Sequence, residues 1–517
     1  MPHALTNSAE PIDHLTQRGG AASPALLLRA EEISFAELDR RVGRIAAEMQ
    51  GWGLKRGDRV ATWLGKTWLA CLMPLAAVRA GLIHVPVNPL LKRAQVAHIL
   101  ADSGASLLIT NAGRLATLAD GDVPPQCLHR ADSDVAALAQ AEGQALPPSS
   151  GDPHALAAIL YTSGSTGRPK GVMLTSANMW LGAESVATYL KLQTDDRVLA
   201  VLPLSFDYGQ NQLLSAWYAG ASVTPLDYLA AADVAKAVER FGATTLAGVP
   251  PLWVQLINCN WSPAAIASLR RLTNSGGALT PRLVQRLRAL FPHADLYAMY
   301  GLTEAFRSTF LDPALIDARP DSIGKAIPHA EILVVRPDGS LTEAGEPGEL
   351  VHTGPLVAQG YWQDAERTAQ RFRPAPAHSR YGGVAVWSGD TVVRDADGFL
   401  SFVGRDDAMI KSSGNRISPT EVEEAAEATG LVAESVALGV PDPALGHAVA
   451  LVARRTDGAV DDAAVEAVRA ALKAELPNFM QPRHILLMDD LPRNPNGKLD
   501  RVAITADALR QLTGNPA

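Results

Sequence analysis

Between positions 157 and 171 an apolar run, AAILY, passes directly into TSGSTGRPKG, and this junction limits the fold more than any other stretch of the chain. The apolar run is short and is followed by turn-forming residues, so it suits a buried strand. The segment after it offers hydroxyls at Thr162, Ser163, Ser165 and Thr166, glycines at Gly164, Gly167 and Gly171, and one cation, Lys170. Glycine lets the backbone come close to a ligand, and hydroxyls and main-chain N–H groups donate to phosphate oxygens. A strand that hands over to such a loop belongs in a layered α/β protein with an anion site at the sheet edge. The Walker spacing G-x-x-x-x-G-K-[ST] is not met, because Lys170 follows Pro169 and precedes Gly171.

The surrounding sequence alternates helix and strand. Ser34 followed by Glu37 predicts a capping box, and Leu38, Val42, Ile45 and Met49 continue at helical spacing to Gly51. Residues 59–64, 84–87 and 106–110 predict strands, with an apolar helix over 69–80 between the first two. That pattern predicts parallel sheets covered by helices. From about residue 321 short strands are separated by turns such as Pro337-Asp338-Gly339, which predicts a β-rich subdomain over 321–404. The helix signal Ser418-Pro419-Thr420-Glu421, strands at 435–440 and 448–453 and a helix at 462–475 predict a separate α+β unit over 405–517. The expected division is therefore a core of residues 1–404 and a small unit beginning at Arg405.

With 517 residues, 47% hydrophobic and 19% charged, the chain has the make-up of a large globular protein. Its net charge of −8 and lack of a basic block argue against a nucleic-acid partner. Cys71, Cys127 and Cys259 are far apart, which fits neither a disulfide framework nor a zinc site and predicts buried small side chains. There is no basic start followed by an apolar run and no window long enough for a membrane span, so a cytoplasmic enzyme is expected.

Four more motifs follow the first in order. They are YGLTE at 300–304, SGD at 388–390, GRDDAMIK at 404–411 running on to Pro419, and PRNPNGK at 492–498. Together they resemble the signatures of the acyl-adenylate-forming superfamily, which contains AMP-dependent acyl-CoA synthetases, amino-acid adenylation domains and firefly-type luciferases. The likeness covers about nine-tenths of the chain. It implies an α/β fold in which a large N-terminal domain of stacked mixed sheets, covered by helices and carrying the β-rich subdomain, bears a small mobile α+β C-terminal domain. It also implies the reaction: ATP and a carboxylic acid give an acyl-adenylate and pyrophosphate, and the acyl group then passes to a thiol. That thiol is coenzyme A or, for a stand-alone amino-acid adenylating enzyme, the phosphopantetheine of a carrier protein.

Bringing a carboxylate against the α-phosphate makes two anions meet, so fixed donors and cations aimed at that charge should carry most of the catalysis. By resemblance, Thr162, Ser163, Gly164, Ser165, Thr166 and Lys170 hold the phosphates. Thr303 contacts phosphate and Glu304 ligates Mg²⁺. Tyr300 stacks near adenine, Asp390 takes the ribose hydroxyls, and Arg405 assists there. Lys498 bridges the substrate carboxylate and the α-phosphate. Asp407 stands at the hinge about which the small domain rotates, a motion that would next present residues 412–416 to the thiol. Lys411 reads as a solvated or structural lysine.

The acid pocket is less defined by sequence. SFDY at 205–208 resembles the Ser-Phe-Asp of amino-acid adenylation domains, in which the aspartate pairs with the substrate amine. A buried carboxylate needs a partner, although Asp207 equally suits a helix N-terminus. Arg307 could pair with Asp207, meet a second anion on the substrate, or face solvent. A pocket with Asp207, Asn211 and Arg307 predicts a small polar or amino acid in preference to a fatty chain.

Overall fold

The computed structural model describes residues 9–91, 93–162, 169–277, 279–405, 410–412, 415–442, 446–476 and 478–513. Apolar strands separated by helices assemble into three sheets. The first has six strands in the order Leu128–Ala131, Leu107–Thr110, Arg59–Trp63, Ile83–Pro86, Leu156–Thr162 and Lys170–Thr175. Its neighbours are parallel except for the last pair, an antiparallel hairpin that sets Thr162 opposite Lys170. The predicted phosphate segment therefore leaves and re-enters the sheet at one point.

The second sheet has fourteen strands. Its parallel half runs through Ser222–Pro225, Arg197–Ala200, Thr245–Gly248, Arg271–Asn274 and Asp295–Tyr300. Beyond Tyr300 pairing turns antiparallel, through Thr309–Phe310, Ser322–Ala326, Leu400–Arg405, Val384–Arg394, Pro347–Thr353 and Glu331–Val335. The β-rich part is thus a continuation of the parallel half through Thr309–Phe310.

Two helices, Trp68–Arg79 and Ser176–Tyr189, are buried almost all round, and both read as apolar on nearly every face. They share one core cluster with residues of both sheets, such as Val60 and Leu160 of the first and Val198 and Leu272 of the second. The third sheet gathers Ile410–Ser412, Asn415–Ile417, Val432–Asp442, Gly446–Arg455 and His484–Leu487, with its own core packed by the helices Pro419–Ala428 and Asp462–Glu475.

Local chemistry explains where the sequence reading needs correction. The hydroxyl of Ser34 accepts from the Glu37 N–H (3.2 Å), but the Glu37 carboxylate turns outward to Arg40 and Arg41 and does not complete the box. Those two cations hold it down to about 2, against the opposing effect of burial. Ser418 does not cap its helix either; its hydroxyl donates to the carbonyl of Val403. Two cysteines are buried as expected, and burial raises Cys71 to about 12 and Cys127 to about 11, so neither is a thiolate. Cys259 is only half-buried. No helix among the described residues is long and apolar enough to cross a membrane.

Candidate active site

The strand Asp295–Tyr300 ends where parallel pairing gives way to antiparallel, and the predicted residues gather around that point. A single turn, Thr303–Ala305, follows it and buries Glu304. Lys170, at the start of its hairpin strand, reaches Glu304 with Nζ 3.1 Å from Oε1. Tyr361 joins both: its hydroxyl donates to Glu304 Oε1 (2.6 Å) and accepts from Lys170 Nζ (2.7 Å). Burial alone would raise the Glu304 carboxyl, but the charges of Lys170 and Arg371 and the Tyr361 hydrogen bond outweigh it, and the group is held below its ordinary range. The outcome is a buried carboxylate that stays anionic beside a movable ammonium group.

Tyr300, the last residue of the strand Asp295–Tyr300, donates its hydroxyl to Asp390 on Val384–Arg394, so these two predicted nucleotide residues meet directly. The Asp390 backbone N–H is fixed by Ser388 Oγ (3.0 Å), and Asp390 pairs in the ladder with Arg405. At the hairpin, the Thr162 hydroxyl is buried with no hydrogen-bond partner among the described residues. Ser163, Gly164, Ser165, Thr166 and Asp407 lie outside the described residues.

Asp207 begins the helix Asp207–Tyr218 and is 5% exposed. Thr303 donates to its Oδ1 (3.0 Å), so that hydroxyl is engaged with Asp207. Burial raises the Asp207 carboxyl above its usual range, and the charges of Arg307 and Lys498 pull the other way. Lys498 comes in from the small domain and places Nζ 4.8 Å from the centre of the Phe206 ring. Gly276, at φ +82°, makes room for it: a methyl group there would lie 2.5 Å from Lys498 Cε. The incoming loop is anchored by Asn88, whose Nδ2 donates to Pro495 O and Asn496 Oδ1, both at 3.1 Å.

Arg307 faces inward, contrary to the solvent alternative. It is 2% exposed, donates from Nη1 to Ser275 Oγ (2.6 Å), and lies 4.5 Å over the ring of Tyr208. It forms no ion pair with Asp207. Asn211 lines the same region, with Oδ1 lacking a protein partner.

Direct contacts thus join Lys170 to Glu304, Tyr300 to Asp390 and Thr303 to Asp207, Lys498 lies over Phe206 next to Asp207, and Asn211 and Arg307 line one small cavity. Tyr361 and Asn88 escaped the sequence reading. Each is a single residue in an unremarkable local context, and its contact exists only across 57 residues to Glu304 or more than 400 to the Lys498 loop.

Comparison with known proteins identifies the family. The family model described as AMP-binding enzyme matches residues 15–362, and that of the AMP-binding enzyme C-terminal domain matches 421–498. A feruloyl-CoA synthase of Amycolatopsis is 33% identical, over 90% of this chain and 92% of its own length. A sulfoacetate–CoA ligase of Cupriavidus necator is 31% identical, over 91% and 92%. The crystal structure of ATP-bound MatB from Rhodopseudomonas palustris aligns with a TM-score of 0.86 at 26% identity, covering 97% of this chain and 99% of that one. The chain belongs to the AMP-binding enzyme family and is an ATP-dependent, AMP-forming ligase that joins an acid to a thiol.

Proposed function

We propose that this ligase activates a small, polar, amine-bearing carboxylic acid as its adenylate and passes it to coenzyme A. The observation that carries the reading is the buried Asp207 carboxylate, raised by burial and within the electrostatic influence of Arg307 and Lys498. A carboxylate kept out of water is stabilised by a cation it can touch, and a substrate ammonium group supplies one. Lys498 then takes the reacting carboxylate. Both relatives named above transfer their acid to coenzyme A, and one is named for sulfoacetate, an acid with two anionic groups.

The nucleotide end is assigned in the same way. Thr162 and Lys170, with residues 163–166 between them, take the phosphates; Asp390 takes the ribose hydroxyls and Tyr300 lies against the base, with Arg405 beside the ribose. Glu304 fits a magnesium site, since that ion is commonly held by one or two carboxylates together with substrate phosphates. Bound there, the ion would neutralise phosphate charge. Lys170 now rests on Glu304 and Tyr361; as the phosphates arrive it exchanges those contacts for phosphate oxygens, and Tyr361 keeps Glu304 oriented. Rotation about Asp407 would then withdraw Lys498 and bring residues 412–416 to the thiol. ATP and coenzyme A are both cytoplasmic metabolites, which suits a cytoplasmic enzyme.

ATP–pyrophosphate exchange on amino acids, their deaminated analogues, aryl acids and fatty acids tests the substrate. Faster exchange with aryl or fatty acids than with any small amine-bearing acid would overturn the reading. Supplying coenzyme A or a phosphopantetheinyl carrier protein then separates the two acceptors; the SFDY segment at 205–208 is the feature that favours the carrier.

Asn88 supplies a further expectation. Its Oδ1 accepts from the Leu90 N–H (2.9 Å), which fixes the amide orientation and leaves Nδ2 as the donor to the Lys498 loop. Asn88→Ala removes both hydrogen bonds to the Lys498 loop, of about 1 kcal/mol each, so adenylate formation should slow ~30-fold. Transfer from supplied adenylate should be unaffected. Rapid-quench measurement of each half-reaction checks this, and equal slowing of both would assign Asn88 to folding alone.

A further inference from the structure

The acid end of the cleft holds a cation that no described carboxylate contacts. Arg307 is engaged by Ser275, by the face of Tyr208 and by the Tyr189 side chain, all neutral, and its Nε–H is buried with no hydrogen-bond partner among the described residues. Its neighbours are in the same state. Asn211 Oδ1, both polar atoms of the Gln212 amide and Thr245 Oγ1 are buried without a protein partner. These three residues and Arg307 line one cavity of about 20 Å³, whose other walls include Val186 and Met299. That space is enough for about one water-sized group and too small for a ring or an alkyl tail. Buried polar atoms are normally satisfied, so this much capacity in one place suits one oxygen, whether a water's or a ligand's.

The chain accepts strain to put Arg307 there. Phe306 has φ +63° and ψ −65°, and the Arg307 N–H donates to the Ala305 carbonyl two residues back (2.7 Å). This is the rare, strained form of the γ-turn. The Phe306 ring fits because residue 182 is glycine; a methyl group there would lie 2.3 Å from it. Strained backbone of this kind persists where the surroundings enforce it and concentrates at ligand sites.

Charge then narrows the ligand. Beside the Glu304–Lys170 pair, the acid end presents two cations, Lys498 and Arg307, and one anion, Asp207. A reacting carboxylate answers Lys498 and an amine answers Asp207, which leaves Arg307. We infer that the substrate carries a second anionic group of carboxylate size, which meets the Arg307 guanidinium and sets one oxygen in the cavity beside Gln212 and Thr245. The substrate class is a short amino dicarboxylate. This rests on the reading that Lys498 holds the reacting carboxylate, and it goes beyond that reading in assigning the far end of the molecule.

The experiment is ATP–pyrophosphate exchange by the full chain on four matched acids: aspartate, asparagine, succinate and succinamate. The set one carbon longer (glutamate, glutamine, glutarate and glutaramate) is run beside it. Acid against amide reads Arg307; amine against no amine reads Asp207. In one of the two series the acid is expected to exceed its amide by ~10- to 100-fold in kcat/KM, the range for hydrogen bonds to a charged group. Arg307→Gln is expected to erase that ratio or reverse it. Equal rates for acid and amide in the wild-type enzyme, or no exchange with any of the eight, would overturn the inference whatever the variant does. Equal rates for aspartate and succinate would instead sink the amine reading and leave the Arg307 assignment standing.

Discussion

Replacing Lys498 by alanine is expected to slow adenylate formation by ~100-fold or more, in line with removing a preorganised charge from a site where charge develops. The geometry makes this a loss at one step. Lys498 lies on the face of Phe206 and close enough to Asp207 to influence its carboxyl, in a slot that Gly276 leaves open. Alanine keeps the loop, its Asn88 anchors and the Gly276 backbone, and removes only the ammonium group that offsets repulsion between carboxylate and α-phosphate. Acyl transfer from adenylate supplied ready-made should proceed at close to the wild-type rate, because the proposed rotation takes Lys498 out of the cleft before that step. Single-turnover assays of each half-reaction decide the matter; parallel loss in both would count against alternate use of the small domain.

Glu304→Gln is expected to cost a comparable factor, ~100-fold in kcat/KM for magnesium-ATP, with the KM for the metal–nucleotide pair raised. The substitution keeps shape and one acceptor oxygen for Tyr361 and removes the negative charge. Lys170 thereby loses its 3.1 Å partner, and a magnesium ion loses the carboxylate assigned to it. Because Lys170 and Arg371 hold Glu304 below the usual carboxylate range, the wild-type group is ionised at neutral pH. Its ionic contribution to stability is present at neutral pH and lost as pH falls through its lowered value. Glutamine should flatten that acid limb. Initial rates against magnesium-ATP concentration check the kinetic part. Unchanged kinetics would remove Glu304 from the phosphate site.

Much of this arrangement could be read before any coordinates, because it is written in short contiguous segments. The run into Thr162 and Lys170 announces a strand and a loop, and the segments at 300–304 and 388–390 stand out as motifs. Helix limits such as Phe35–Gly51 and Asp462–Glu475 follow from caps and periodicity. What could not be read depends on where side chains point once packed. Arg307 was recognised, but its direction is fixed by the turn at Phe306, and an aromatic residue gives no local sign that it will adopt positive φ. Tyr361 and Asn88 act across folded distances. Ser418 carries a proper capping sequence, yet its hydroxyl finds the carbonyl of Val403, and that tertiary bond prevails over the local one.

The continuity of the long sheet has a practical consequence for anyone cutting this protein into pieces. A fragment ending near residue 320 would keep every parallel strand of this sheet and still strand the two-residue segment Thr309–Phe310 as a raw border, its outward N–H and C=O groups offered to any passing chain. The Tyr300 hydroxyl would also lose Asp390, ninety positions downstream. Shuffled or minimised versions therefore have to carry the polypeptide through Arg405, however far that lies from the parts that touch the acid.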